Sequence, residues 1–276
     1  MKPTAQTLAL GMTGMGLILT SCAPAPTPSN TQADATPTPA AATAPPPTIS
    51  VPKAGEVIRV GGDAQSRVVF TAPETWTVEG DTPATSVRIT TALPEGYPQP
   101  TPPGAIEIKT YPSVRRAQVT SGAEGQQMLP ADTGMNAGFW PLFRHIQRRD
   151  IAMTSPVEMD YAGLSPDGQG QPERWTMSFL YRTSDLGPTG EDGNVEIIDT
   201  VPVTVVALGL RGPYGLPRVR GALATLDAWL EEHPEWEVAG EPRAFYYNGP
   251  EMPNARKWAE AQIPIRPRTA SANATK

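Results

Sequence analysis

One order of elements occurs twice, and it restricts the architecture more than any other feature. Residues 106–120, IEIKTYPSVRRAQVT, read as a strand, FWPLFRHIQRR as a helix, and IAMTSPVEM and RWTMSFLYR as two further strands. VTVVALGLRG, PRVRGALATLDAWLEEH, VAGEPRAFYYN and EAQIPI then repeat strand, helix, strand, strand. In the first helix Phe139, Leu142, Phe143 and Ile146 fall at i, i+3, i+4 and i+7. In the second, Val219, Ala222, Leu223, Leu226 and Leu230 form a similar stripe. Each helix therefore has one face to bury, and strands must supply the surface. The expected class is α+β: duplicated βαββ units forming an antiparallel sheet or a distorted open barrel with two packed helices.

What precedes this region has a different composition. The chain has 276 residues and 33 prolines, many of them near the N-terminus, so much of it is not core. MKPTAQTLALGMTGMGLILTSC carries Lys2 and then an apolar run from Leu8 to Leu19. A comfortable transmembrane helix needs about 20 predominantly apolar residues, so residues 1–21 read as a signal peptide. The ending Leu19-Thr20-Ser21-Cys22 resembles the bacterial lipobox, whose cysteine is lipidated and becomes the mature N-terminus. This makes Cys22 the expected lipid anchor to a membrane in the bacterial cell envelope. Ala23 after the cysteine favours the outer membrane if the cell has two. Acylation of the single cysteine leaves no thiol for a disulfide, so packing must supply the stability.

Residues 22–54 are rich in Pro, Ala and Thr and read as a stand-off tether. In polyproline II conformation thirty such residues reach roughly 90 Å. GEVIRV, SRVVFTA, TWTVEG and TSVRITTAL make residues 55–103 a β-rich extension, either packed on the domain at 104–266 or a small β appendage of its own, and PEGYPQPTPPG breaks the strand pattern before that domain. Residues 267–276 form a tail. The net charge of −6 and the lack of a basic run argue against nucleic acid as a partner. Protein partners leave no mark in the sequence.

YPSVRRAQV at 111–119, Phe139-x-x-Leu142-Phe143-Arg144-His145-Ile146, Met153-Thr154-Ser155-Pro156-Val157, MSFL at 177–180, and YYNGPEMP followed by RKWAEAQIPI occur in that order. Together they resemble the SOUL/haem-binding protein family. The resemblance implies a duplicated βαββ fold whose hydrophobic groove binds haem or another tetrapyrrole. Three departures stand out: Ile106-Glu107-Ile108-Lys109 where an aromatic often leads, His145 where the helix usually has tyrosine, and Ala259 where the last motif usually has Asn, beside a retained Glu260.

A macrocycle needs wide apolar walls and cations near its propionates. The candidate ligand-binding residues are Phe139, Leu142, Met153, Trp175, Met177, Phe179, Arg144, Glu260 and His145, the last also a candidate axial iron ligand. Against ligation, His145 lies about 110° from the centre of its helix's stripe, which favours a surface imidazole. Arg148 and Arg149 are further partners for propionates or simply a solvated helix face. His233, behind Glu231 and Glu232, reads as a helix-terminal residue. In IAMTSPVEM the alternation of Met153 and Ser155 with Thr154 and Pro156 suits a groove wall. Met153 there is core filler or a ligand contact.

Two other readings stay open. Glu260 with Tyr246 and Tyr247 fits a gyrase-inhibitor-like pocket, either a small-molecule sensor or a hydrolase, although no nucleophile with an oriented base accompanies them. A structural envelope protein without a ligand is the other.

Overall fold

The computed structural model describes residues 50–72, 74–81, 86–121 and 131–268, which belong to one compact unit. The expected signal peptide, Cys22 and nearly all of the expected tether lie outside the described residues. No helix among the described residues is long and apolar enough to cross a membrane.

The strands are β1 (Val57–Gly62), β2 (Val68–Thr71), β3 (Thr75–Val78), β4 (Arg88–Ile89), β5 (Ala105–Tyr111), β6 (Arg115–Thr120), β7 (Val157–Ala162), β8 (Arg174–Leu180), β9 (Gly190–Asp192), β10 (Val195–Asp199), β11 (Val203–Arg211), β12 (Trp236–Val238), β13 (Arg243–Tyr246) and β14 (Trp258–Pro267). Helix α1 (Ala131–Arg148) follows β6 and α2 (Leu216–Glu232) follows β11. An 11-stranded sheet runs β1-β5-β11-β14-β13-β7-β8-β6-β10-β9, with β12 also on β14. All its strand pairs are antiparallel. The sheet is open, ending at β1 and β9, so of the two expected forms the sheet and not the barrel is found.

The two helices pack on one face. Leu142 and Ile146 of α1, with Val219, Leu223, Leu226 and Trp229 of α2, join alternate strand residues such as Met159, Met177, Ala261 and Ile263 in the main core. Helix α1 begins at Ala131, earlier than its apolar stripe, and carries Pro141 inside it. His233 closes α2: its backbone N–H donates to the Leu230 carbonyl, and its ring stacks on Trp229 at 3.9 Å.

Two expected strands are corrected. Residues 106–120 are not one strand, because Pro112, which has no N–H to donate, marks a break after Tyr111. β5 then lies between β1 and β11, while β6 lies between β8 and β10, on the far side of the sheet. Residues 151–156 are not a strand either, and β7 starts only at Val157. The hydroxyls of this stretch bond to carbonyls of neighbouring chain, Thr154 to Leu180 and Ser155 to Tyr247 at 2.6 Å. Both side chains are buried, so the stretch pins two strand ends together and does not wall a groove.

The opposite face is covered by residues 55–103. β1 extends the main sheet, and β2, β3 and β4 form a small sheet of their own. Val78, Val87 and Ile89 bury themselves against Val205, Phe245, Tyr247 and Trp258. Residues 94–104, expected only as a break, form an arm fixed to this face. Trp258 Nε1 donates to the Thr101 carbonyl at 2.7 Å, and Gly104 N–H to the Gly209 carbonyl at 2.9 Å. A Cβ on Gly209 would sit 2.2 Å from the Pro102 carbonyl oxygen, so glycine is what lets the arm lie this close.

Candidate functional site

Strand alternation sends a second set of side chains to the face away from the helices. In β5 these include Glu107, Lys109 and Tyr111, in β7 Glu158 and Asp160, in β13 Arg243, and in β14 Glu260 and Gln262. They form a hydrogen-bonded line across the sheet. Arg59 Nη2 donates to Glu107 Oε1 at 3.0 Å, and Lys109 Nζ lies 3.6 Å from Glu107 Oε2 and 3.1 Å from Glu260 Oε1. Glu260 also accepts from the Tyr247 hydroxyl at 2.6 Å, the Thr101 N–H at 2.7 Å and Gln262 Nε2 at 2.8 Å. Gln262 Oε1 accepts from Arg243 Nε at 2.8 Å, and Arg243 Nη1 donates to Glu158 Oε1 at 3.0 Å. Arg116 Nη1 closes the line, 3.1 Å from both Glu158 Oε1 and Asp160 Oδ2.

Signs alternate along the line, which is how a low-dielectric face tolerates so many charges. Lys109 and Glu260 are both fully buried. Burial opposes ionisation of Glu260, but Lys109 and the hydrogen bonds from Tyr247, Thr101 and Gln262 hold its carboxyl below the usual range. Burial likewise works against Glu158, and Arg243 with Arg116 outweighs it, so this carboxyl is also lowered. Asp160 differs: burial first and the Glu158 charge second push it up to about 7, against the pull of Arg116.

Where the line ends, the face opens into a cavity of about 350 Å³. Arg116, Glu158, Asp160 and Arg243 line it together with Tyr97 from the arm and Tyr111 from β5. The Arg243 guanidinium lies 5.0 Å from the Tyr111 ring centroid and 4.8 Å from that of Phe245, both cation–π distances. This wall is charged and does not suit a flat apolar macrocycle.

The candidate residues are distributed over both faces. Leu142, Trp175, Met177 and Phe179 are buried between α1 and the sheet, with Phe139 and Met153 partly buried beside them. Glu260 lies on the other face, inside the polar line. Arg144 is exposed on α1.

His145 is fully buried, which overturns the surface position that its place on the helix suggested. Nδ1 donates to Asp192 Oδ2 at 2.6 Å, and Nε2 is bonded to the Tyr181 hydroxyl at 2.7 Å. β9 brings up Asp192 and the end of β8 brings Tyr181, so this helix flank is covered by sheet. Both ring nitrogens are thus committed within the protein.

Helix α1 also presents an aromatic ledge. Trp140 is 52 % exposed and meets the rings of Phe139 at 5.6 Å and Phe143 at 6.0 Å. Phe139 and Phe143 stack at 5.5 Å, and Phe139 packs edge-on against Phe179. Arg144 lies one helical turn beyond Trp140.

Sequence reading gave no site role to Arg116, Lys109, Gln262 and Arg243, and noticed Glu158 and Asp160 only as acids in a stretch otherwise without catalytic groups. Their signal was charged or amide residues alternating with apolar ones in EIK, RAQV, VEMD, RAFYY and AEAQ. Such alternation also describes a solvated strand face, and only the covering arm and small sheet make it a buried one.

Among solved structures the chain is similar to the EcmrR C-terminal domain, with 16% identity over 59% of this chain and 98% of that one, at a TM-score of 0.47. It is also similar to a hydrolase from Listeria innocua, with 11% identity over 61% of this chain and 94% of that one, at 0.41. At these scores the likenesses carry no functional weight. No protein of curated function matches the sequence. The model of the SOUL heme-binding protein family, in contrast, matches residues 99–263, more than half of the chain and all of the sheet from β5 through most of β14. The chain belongs to the SOUL heme-binding protein family.

Proposed function

We propose that this domain binds haem or a related tetrapyrrole against the aromatic ledge of α1, and that a lipid on Cys22 displays it at the bacterial envelope. The observation that carries the ligand reading, beside family membership, is the ledge itself. Phe139, Trp140 and Phe143 form a continuous aromatic surface, half-buried at Phe139 and Phe143 and open at Trp140. Exposed aromatic surface of this kind is otherwise a liability in a monomer. Arg144 is exposed and has no ion pair among the described residues, whereas Arg148 and Arg149 are both drawn to Asp192, at 3.1 Å and 3.4 Å. Arg144 is therefore the cation best placed for a propionate. The residues fit a macrocycle's face and charge, while the committed nitrogens of His145 leave that imidazole no lone pair for iron.

The strand order supports the two-unit reading of the fold. Pairing β5 with β10, β6 with β11, β7 with β13 and β8 with β14 makes the run β5-β11-β14-β13-β7-β8-β6-β10 read the same from either end. Each helix then follows equivalent strands, β6 and β11, while the short β12 is inserted between α2 and β13.

The role follows from display: a tethered surface site suits storage, buffering or hand-over of haem. Titration of residues 53–276 with micromolar haem is expected to shift the Soret band and quench tryptophan fluorescence. Trp140→Ala is expected to weaken binding about tenfold, the scale of one lost aromatic contact face. No Soret change with the unsubstituted domain would end the haem reading. The anchor is tested separately. Cys22→Ser in the full chain is expected to move the protein from the membrane to the soluble fraction, and continued membrane partition would contradict lipidation.

A further inference from the structure

The cavity on the face opposite α1 plays no part in the ledge reading, and its chemistry is specific. Five charged side chains line it: Arg116 on β6, Glu158 and Asp160 on β7 and Arg243 on β13 form its inner wall, and Glu241 lies at the exposed rim. The acids are already answered, since Glu158 accepts from both arginines and Asp160 accepts from Arg116. The arginines are not. Arg243 is nine-tenths buried, yet its Nη2 has no hydrogen-bond partner among the described residues, and neither does the buried Nε of Arg116. An unmet buried donor is costly, and guanidinium groups make their strongest, bidentate hydrogen bonds to carboxylates and phosphates, of which the singly charged carboxylate matches a net charge of +1.

Charge points the same way. Glu158 and Asp160 sit two residues apart on one strand face, where burial and mutual repulsion favour holding one proton between them. With two arginines and one ionised acid, the four inner groups sum to +1, and the one further carboxylate of the lining, Glu241, is exposed to solvent at the rim. Among the described residues, the other ionisable groups at the cavity are the phenols of Tyr97 and Tyr111, which burial keeps neutral, and Glu241 at the exposed rim, bonded to the Gly163 N–H. Tyr97, Tyr111, Val201 and Val203 supply apolar wall, and 350 Å³ is enough for a ligand of modest size.

We propose that this cavity is a second ligand site, which takes a small organic monocarboxylate with an aromatic or aliphatic body, its carboxylate toward Arg116 and Arg243. A cationic ligand is disfavoured because both acids are engaged by arginine. The site is independent of the α1 ledge, which lies across the sheet.

Calorimetric titration of residues 53–276 with benzoate, benzyl alcohol and benzylamine tests this. Benzoate is expected to bind at least tenfold more tightly than the other two. Val201→Trp fills the mouth from a side chain that is 77 % exposed and outside the charged line, so the fold is kept. It is expected to reduce benzoate affinity at least tenfold. Asp160→Asn fixes the neutral state and is expected to tighten benzoate binding severalfold at pH 8, a gain that damage to the fold would not produce. Equal affinity for all three compounds, preference for benzylamine, no benzoate binding, or binding indifferent to both substitutions would each overturn the proposal. Haem titration of Val201→Trp should match the unsubstituted domain, and benzoate titration of Trp140→Ala likewise, so either site can fail without the other.

Discussion

Lys109→Met is expected to lower the unfolding free energy by about 3–5 kcal/mol near pH 8, the usual scale for removing one partner of a buried charge cluster. Lys109 is fully buried, and among the described residues its Nζ is the one cation paired with Glu260 and the second paired with Glu107, after Arg59. Methionine matches the stem in volume, so little of the loss should come from packing. What remains is two carboxylates out of water, one of them without a cation, and an arm whose Gln99 carbonyl has lost a donor at 2.6 Å.

The pH dependence should reverse in sign. In the native protein Glu260 is held below its ordinary value, so its contribution is present above the unfolded carboxylate range, near pH 4.3, and is lost as pH falls. Without Lys109, burial acts unopposed by that charge and moves the folded value upward. The variant should then gain stability as pH falls, and the gap to the native protein should narrow between pH 8 and pH 5. Urea unfolding at the two pH values measures both effects. A deficit under about 1 kcal/mol at pH 8, or a gap that does not narrow, would show that the network does not carry this charge as described.

The parts of the fold that follow from local pattern were legible in the sequence. Val219, Ala222, Leu223 and Leu226 announce α2 by spacing alone, and all four are buried. Breaks that depend on a single residue were not: Pro112 sits inside an otherwise continuous β pattern and yet divides β5 from β6. The charged cavity was hidden for another reason. Arg116, Glu158 and Arg243 come from three strands separated by helices and loops, and meet only through the pairing of β13 with β7 and of β6 with β8 beside it. Register at that range is set by the whole sheet and leaves no mark in any one segment. The arm at 94–104 misled in the same way, since a proline-rich break and a buried strap have the same composition.

His145→Ala is expected to cost about 3 kcal/mol, with no change in the iron spectrum or affinity of bound haem. The imidazole links three elements: α1 carries it, Asp192 of β9 takes its Nδ1 proton, and Tyr181 at the end of β8 meets Nε2. Truncation strands the buried Tyr181 hydroxyl and removes a bond to a carboxylate, worth about 1–3 kcal/mol and 1.5–3 kcal/mol respectively. Asp192 keeps Arg148 and Arg149, so the aspartate itself is not left alone. Its carboxyl, now at about 2 because the His145 bond is the largest of several pulling it down, should rise toward the ordinary range in the variant. Carbon-detected NMR of the Asp192 side chain follows that rise, and thermal unfolding follows the stability. The haem arm separates two roles that one stability measurement would confuse. An imidazole that only joins α1 to the sheet leaves the Soret position where it was once the domain is folded, whereas an axial ligand shifts it on removal. A shifted Soret band in the folded variant would mean that His145 leaves Tyr181 or Asp192 to reach iron, and would require α1 to move when haem binds.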